Sequence, residues 1–419
     1  MSSFIDRYFP YKTFRRPARL YLLSVMISGI IFSAWQLFFN LFILARGYDK
    51  VFLGLINAAP WIAGLFFSLP LGALSNRMGR KNAMVAGMGV DFAMRALQVV
   101  VQSPELLVIV SFLEGIGFTL LIVSEAPFLM AASEDKNRSL LFSLNFGLLT
   151  LSSAVGAVFA GQMPSLVAGR MNVSPDSSTA YGAVLLFSLL IGVFSFWPLL
   201  RIDEREIHDS KTREQKSSIL SALKKPLVWK LFLPNLILGF GAAILIPYMN
   251  VFFTEKFLLS SAALGVLFAI SSLLTAIGSI LGPALAQWMR SKIKAVVTVQ
   301  GASLGFLVLI GFSPVSWVAE LAYLVRGTLM NMASPLYSAF SMEVSEPQDQ
   351  GAVSSMLNIS WQAGWAVGPI LSGFIQQDYG FAPLFIATVI LYTISTILVW
   401  LFFGDTENRI APFRVEGTV

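Results

Sequence analysis

Long uncharged apolar stretches alternate with short polar breaks along the whole chain. A helix needs about 20 apolar residues to cross a lipid bilayer, and most of the stretches have about this length. We therefore predict twelve membrane-spanning helices. They cover residues 20–45, 51–75, 82–102, 105–131, 140–163, 181–200, 227–253, 262–288, 295–312, 317–342, 352–376 and 383–403.

The composition supports this interpretation. Charged residues make up only 12% of the 419 residues, and the mean hydropathy is +0.73, which excludes a water-soluble domain. The pI near 9.5 does not require a nucleic-acid partner, because basic residues flank membrane helices for topological reasons. We therefore predict an all-α membrane protein whose surroundings are the lipid bilayer, with no nucleic acid bound.

The distribution of Lys and Arg predicts the orientation, because cytoplasmic loops carry the excess of these residues. With both termini in the cytoplasm, the opposite side carries only Arg46, Lys50, Arg170 and Lys256 of the 29 basic residues. The N-terminal apolar stretch is too long for the core of a signal peptide. We expect a multi-pass protein of the inner, cytoplasmic membrane of the cell.

One long polar segment, residues 201–226, separates the first six predicted spans from the last six. It predicts a cytoplasmic linker between an N-terminal half, residues 1–200, and a C-terminal half, residues 227–419. A shift of about 211 residues aligns parts of the sequence of one half with the other, for example Asn40-Leu-Phe with Asn250-Val-Phe. Two pseudo-symmetric six-helix bundles of this kind are typical of transporters with a site near the membrane midplane.

The loop after the second predicted span reads GALSNRMGRK over residues 72–81. This sequence resembles the signature of the major facilitator superfamily, with Asn76 where that family usually has Asp. Glycines in such a loop permit a tight turn and a close approach of helices, and arginines offer forked donors to carboxylates or helix carbonyls. The resemblance covers essentially the whole chain and implies a cytoplasmic gate. Its members are Gly72, Asn76, Arg77, Gly79 and Arg80.

The glycine spacing of the fifth and eleventh spans partly matches drug:proton antiporters of the same superfamily. Gly147 and Gly156 have the first spacing of that pattern, and Gly364-x-x-x-Gly368-Pro369 carries a fuller version in the second half. Small residues at these spacings also allow close packing of helices in lipid. The resemblance favours antiport over symport.

Charged side chains within predicted spans are candidates for function, because a charge in the bilayer needs a partner or water. They are Asp91, Arg95, Glu114, Glu125 and Arg326. Asp91 and Arg95 are four residues apart, which predicts an ion pair on one helix face. We favour a structural pair over a proton relay for these two.

Glu114 and Glu125 are eleven residues apart and lie on nearly the same face of the fourth span. The resemblance places that span at the central cavity, and the repeat sets Glu114 opposite Arg326 of the tenth span. Both glutamates are therefore candidates for proton coupling, and Glu114 for a pair with Arg326 that forms in one state and breaks in another. The alternative is a fixed structural ion pair.

Uncharged polar and aromatic residues on the spans predict a substrate pocket with aromatic walls, although each amide could instead join neighbouring helices. They are Trp35, Gln36, Asn40, Asn145, Asn250, Tyr337, Asn358, Trp361, Gln362 and Trp365.

We predict a secondary transporter that moves a small amphipathic or lipophilic solute by alternating access. We expect it to be a monomer that exports the solute and couples this export to protons. The alternatives are uptake of a neutral metabolite such as a sugar, by symport or facilitation, and flipping of a lipid or lysolipid. The composition is also compatible with a channel or a receptor. We expect no enzyme, cofactor, metal or catalytic residue, because the chain has no cysteine and a single histidine, His208, in the linker. A nucleotide-binding loop for an ATP-driven pump is also missing from the sequence.

Overall fold

A computed structural model describes residues 14–134, 137–203, 224–346 and 348–404. Almost the whole predicted linker, with His208, lies outside these residues, as does the basic N-terminal segment before residue 14. The described chain forms fourteen α-helices. They are α1 (Arg16–Ala45), α2 (Lys50–Met78), α3 (Arg80–Val100), α4 (Pro104–Ala132), α5 (Arg138–Met171), α6 (Ser178–Val193), α7 (Phe196–Leu200), α8 (Pro226–Ala243), α9 (Met249–Phe257), α10 (Ser261–Trp288), α11 (Lys292–Phe312), α12 (Ser316–Glu343), α13 (Gln350–Tyr379) and α14 (Ala382–Phe403).

The prediction of an all-α membrane protein is confirmed. Ten helical segments of the described chain are long and apolar enough to cross a membrane. The tenth and eleventh predicted spans form α12 and α13, which have 28 and 30 residues and are also long enough to cross. Their hydropathy is lower because polar side chains such as Arg326, Asn358 and Gln362 interrupt them.

Local capping explains where several helices begin. The carboxylate of Asp49 accepts a hydrogen bond from the amide of Phe52 at the start of α2, and the Ser103 hydroxyl caps α4 in the same way. Pro104 occupies the first turn of α4, where its missing amide hydrogen costs nothing. The largest error of a predicted boundary is in α5, which continues to Met171 rather than ending at residue 163.

The seventh predicted span is interrupted, which corrects the uninterrupted helix predicted over 227–253. Helix α8 ends at Ala243, a 3₁₀ turn covers Ile246–Tyr248, and α9 begins at Met249. Pro247 lies within the turn and has no amide hydrogen for the helical ladder. Interrupted membrane helices supply free backbone groups and hinges to transport sites.

Contacts divide the chain into two compact units. Unit 1 contains residues 1–213 and 248–272, and unit 2 contains residues 214–247 and 273–419. The chain passes between the units after residue 213, at the break between α8 and α9, and within α10 after residue 272. The predicted halves with a single boundary at the linker remain a prediction. In unit 1 a hydrophobic cluster around Tyr21 and Phe128 joins α1, α3, α4 and α5. In unit 2 a second cluster centres on Phe340 and Phe403.

Left-handed backbone conformations recur along the sequence with the spacing of the predicted repeat. Gly47 and Gly79 have φ angles of 88° and 87°, and Leu258 and Arg290 each have a φ of 53°. Leu258 follows Gly47 by 211 positions, and Arg290 follows Gly79 by the same number. A positive φ angle therefore recurs at these repeat positions even where the second copy has replaced glycine with a residue whose side chain disfavours it.

Candidate functional site

Three charged side chains meet inside unit 1 and form what we call the acid cluster: Asp91, Arg95 and Glu114. The Nε atom of Arg95 lies 3.0 Å and 3.1 Å from the two carboxylate oxygens of Asp91. Its Nη2 atom lies 2.5 Å from Oε1 of Glu114. Both carboxylates are buried, with exposed fractions of 6% and 5%. One guanidinium group thus serves two buried carboxyl groups.

The helix pair α3 and α4 builds this cluster. Arg95 pairs with Glu114, and one turn away the Nε2 atom of Gln98 donates to the Ser111 hydroxyl at 2.9 Å. The residue numbers of both pairs add to the same value, as expected for antiparallel helices joined by a short connection. This hairpin relation is the sequence signal that could have identified Arg95 as the partner of Glu114.

An aromatic side chain from a third helix covers the acid cluster. The guanidinium carbon of Arg95 lies 4.9 Å from the ring centroid of Trp35 on α1, within the range of a cation–π contact. Trp35 is buried, and its Nε1 has no hydrogen-bond partner among the described residues. The cluster therefore connects α1, α3 and α4.

The sequence predicted the pair of Asp91 with Arg95, and the structure contains it. Glu114 is paired with Arg95 in this structure, so its predicted exchange with Arg326 stays a prediction. Arg326 is buried in unit 2, where its Nη2 donates to the Tyr392 hydroxyl at 2.9 Å. None of the ion pairs among the described residues includes Arg326.

The other glutamate of α4 has different partners. The Nδ2 atom of Asn145 on α5 donates to Oε1 of Glu125 at 2.6 Å, and Tyr21 of α1 lies near this carboxyl group. We call these three residues the Glu125 site. Glu125 is half-buried, and the buried Oδ1 of Asn145 has no partner among the described residues. The predicted stripe of carboxylates on α4 thus consists of two sites with different chemistry.

Three asparagines of unit 1, which we call the amide cluster, join α1, α2 and α9. The amide of Asn57 donates to Asn40 at 3.0 Å, and that of Asn40 donates to Asn250 at 3.2 Å. The amide of Asn250 in turn donates to the carbonyl oxygen of Leu37 at 2.8 Å. Asn40 and Asn250 are the residues that the repeat aligned, and here they contact each other.

The sequence model of the Major Facilitator Superfamily matches residues 20–369 and 332–417. The chain belongs to this superfamily. Its family and fold are those of transporters, which are not enzymes.

Two relatives are similar to this superfamily member in sequence. The chromaffin granule amine transporter of Rattus norvegicus is 24% identical over 359 residues, which are 83% of this chain and 64% of that protein. The chain thus spans less than two thirds of the length of that relative. The MFS-type transporter SLC18B1 of Mus musculus is 25% identical over 391 residues, which are 87% of this chain and 81% of that protein.

Solved structures show the same fold. A bacterial homologue of the human lysosomal transporter Spinster, in an inward-facing and unoccupied conformation, aligns with a TM-score of 0.73 and 14% identity, covering 94% of this chain and 97% of that one. The nucleoside transporter NupG aligns with a TM-score of 0.68 and 14% identity, covering 94% and 99%.

The signature loop of the superfamily lies between α2 and α3. Gly79 ends α2 and precedes α3 with φ 87° and ψ 145°, a conformation that only glycine adopts readily. Arg80 donates to the Ser75 hydroxyl at 3.4 Å, and Asn76 and Arg77 are exposed. The expectation that Gly72 permits a close helix approach is wrong, because a Cβ atom there would meet nothing within 4 Å. The role of this loop as a gate stays a prediction.

Most of the remaining predicted pocket residues of this superfamily member belong to unit 2. The Tyr337 hydroxyl donates to the carbonyl oxygen of Leu231 at 2.8 Å and lies in the core of unit 2. On α13, Gln362 donates to Asn358 at 2.9 Å. The rings of Trp361 and Trp365 lie 6.1 Å apart on the same helix, and Gln36 is exposed on α1.

An ion-pair network outside the spans lies in unit 2. Lys225, just before α8, pairs with Asp349 at 2.5 Å and with Glu346 at 3.0 Å. The hydrogen bond to Asp349 raises the pKa of Lys225, and the hydrogen bond from Lys225 lowers the pKa of Glu346. The described residues contain no group of acidic or histidine side chains that could hold a metal ion.

Proposed function

We propose that this protein is a proton-coupled secondary transporter that exports a small amphipathic solute, and that the acid cluster is its proton site. The observation that carries the proposal is the contact of two buried carboxyl groups, Asp91 and Glu114, with a single guanidinium group.

The charge of the acid cluster supports proton binding. With both acids ionised, the cluster carries one negative charge in excess of Arg95. A buried charge without a partner is costly in a membrane protein, and binding of one proton removes it. The cluster therefore alternates between a neutral, protonated form and an anionic form that has to be paired or hydrated.

Proton binding at this place can influence the helices that surround it. The guanidinium group of Arg95 contacts α4 through Glu114 and α1 through Trp35. Protonation weakens its attraction to the acid that becomes neutral, so the two protonation states favour different packing of α1, α3 and α4. A solute that binds one arrangement better than the other is thereby coupled to the proton.

The relatives support an organic amine as the first class of solute to test. One of the two relatives is named an amine transporter. Uptake of a neutral metabolite is the second candidate, favoured by the uncharged amide pair of Asn358 and Gln362 on α13, where the Oε1 atom of Gln362 is buried and unpartnered among the described residues.

The Lys and Arg distribution supports an inner, cytoplasmic membrane with both chain termini in the cytoplasm. Both the location and the monomeric state are part of the proposal. Surface biotinylation of single-cysteine variants would test the orientation directly, because the chain has no cysteine of its own.

Transport in proteoliposomes tests the proton site. We expect wild-type protein to accumulate an amine such as phenethylamine when a pH gradient is imposed, and to exchange labelled for unlabelled amine without a gradient. The Glu114→Gln and Asp91→Asn variants mimic the protonated acids. They should lose at least about 90% of gradient-driven accumulation, while exchange at equilibrium continues.

Glu105→Gln is the matched control, since Glu105 is an exposed glutamate on the same helix, α4. It should retain gradient-driven accumulation. Unchanged accumulation by both acid-cluster variants would exclude the acid cluster as the proton site. Exchange of a neutral solute but not of an amine would favour the second candidate.

A further inference from the structure

We infer that the Glu125 site binds the ammonium group of a cationic solute. This inference rests on the proposed function and adds to it a separate place and chemistry for the cargo. The site consists of Glu125 on α4, Asn145 on α5 and Tyr21 on α1, all within unit 1.

The hydrogen bonds of the site leave acceptors without donors. Asn145 uses its Nδ2 atom to donate to Glu125 at 2.6 Å, which fixes the orientation of its amide group. Its Oδ1 atom is then an acceptor that is buried and has no donor among the described residues. A buried acceptor without a partner is costly, and an ammonium group with three N–H donors can satisfy it together with the carboxylate.

The charge of the site also calls for a cation. Arg95 neutralises part of the acid cluster, but none of the ion pairs among the described residues includes Glu125. Asn145 is a neutral donor that holds the carboxylate in place without cancelling its charge. Glu125 is half-buried, so a solute can reach it, and the partial burial strengthens its attraction for a positive charge relative to bulk water.

Aromatic residues accompany the polar residues of the site along their helices, and one of them is open to a solute. The rings of Tyr21 and Phe128 lie 5.2 Å apart, and Phe128 follows Glu125 on α4 by about one turn. Phe146 follows Asn145 on α5 and is 44% exposed. A carboxylate, an unpaired carbonyl and apolar rings together match an amine that carries an aromatic or aliphatic body.

The Glu125 site is separate from the acid cluster. Glu114 and Glu125 are eleven residues apart on one continuous helix, or about 16 Å. A proton on the first and a cation on the second would therefore occupy different positions at the same time. Substitutions at the two glutamates should consequently have different effects.

The test is equilibrium binding to purified full-length protein in detergent, with phenethylammonium as the cation and 2-phenylethanol as its neutral counterpart. Wild-type protein should bind the cation at least about tenfold more tightly than the alcohol, as expected for a hydrogen-bonded charge. Glu125→Gln should lose this preference, with little change in affinity for the alcohol. Asn145→Leu should lower the affinity for the cation by a smaller factor.

An exposed glutamate on the same helix serves as the control. Glu105→Gln should keep the preference for the cation. The inference is overturned if wild-type protein does not prefer the cation. It is also overturned if the Glu125→Gln variant keeps the preference and thermal unfolding shows that this variant is folded. The proposed function fails separately, if wild-type protein binds the cation but no pH gradient drives its transport.

Discussion

Single residues in the left-handed region of backbone conformation mark the loops of both repeats. Gly79 has φ 87° and ψ 145°, outside the conformations that other residues adopt at low cost. Arg290, which follows it by 211 residues, has a φ of 53° in the corresponding loop. A positive φ angle is therefore adopted by glycine in one copy and by a residue with a side chain, which disfavours it, in the other.

This difference predicts opposite effects of two substitutions on stability. Gly79→Ala should lower the free energy of unfolding by about 1–3 kcal/mol, because alanine is strained at this position. Arg290→Gly should leave the protein as stable as wild type or raise stability by up to about 1 kcal/mol. Thermal unfolding of both variants in detergent measures the effect. Equal destabilisation by the two substitutions would contradict the explanation.

At the scale of the helix, the acid cluster depends on how closely α3 and α4 approach each other. A Cβ atom on Gly117 of α4 would lie 2.6 Å from the backbone nitrogen of Asp91 and 2.8 Å from the carbonyl oxygen of Gly87. Both atoms belong to the backbone of α3 and cannot rotate away. The short distance between the helices holds Asp91 and Glu114 in contact with one arginine.

The Gly117→Ala variant tests this dependence. We expect the added methyl group to separate α3 from α4 and to cost about 1–3 kcal/mol of stability, with a loss of transport driven by a pH gradient. Gly89→Ala is the matched control, because a Cβ atom on that residue of α3 would meet nothing within 4 Å. Normal gradient-driven transport by Gly117→Ala would show that the cluster tolerates a wider spacing.

At the scale of the whole molecule, the boundaries of the two units do not coincide with those of the internal repeat. Helix α9 lies in the second copy of the repeat, but its contacts place it in unit 1. The amide of Asn250 on α9 contacts both its repeat equivalent, Asn40, and the backbone of Leu37 on α1. Lys50 and Glu255 form an ion pair at 2.7 Å between α2 and α9. These polar contacts attach the second part of the interrupted span to unit 1.

Removal of the Asn250 side chain should loosen this attachment. In an Asn250→Ala background, a cysteine placed at the exposed Gln36 should react about three to ten times faster with a membrane-impermeant maleimide. The substitution removes the hydrogen bonds of Asn250 with Asn40 and with the carbonyl oxygens of Gln36 and Leu37. Asn235→Ala is the control, because that asparagine bonds to Ser360 within unit 2. Equal labelling rates in the two backgrounds would show that the amide cluster does not hold α9 in place.

The sequence predicted part of the candidate site and missed the rest for a physical reason. The pair of Asp91 and Arg95 followed from their spacing on one helix, which the α-helical repeat determines locally. The partner of Glu114 depends on which face of α3 turns toward α4. In the sequence, only the hairpin relation between α3 and α4 indicates this face. The link between Asn40 and Asn250 joins residues 210 positions apart and could not follow from helical periodicity.

The sequence by itself determined the class of protein, the approximate position of the spans and the superfamily. The bilayer requires each span to be apolar and internally hydrogen bonded, so these properties are present in every segment separately. The tertiary structure alone decided that one glutamate of α4 is paired with an arginine whereas the other accepts a hydrogen bond from a neutral amide, and that α9 belongs to unit 1. These features depend on contacts between distant segments, which the composition of any one segment does not specify.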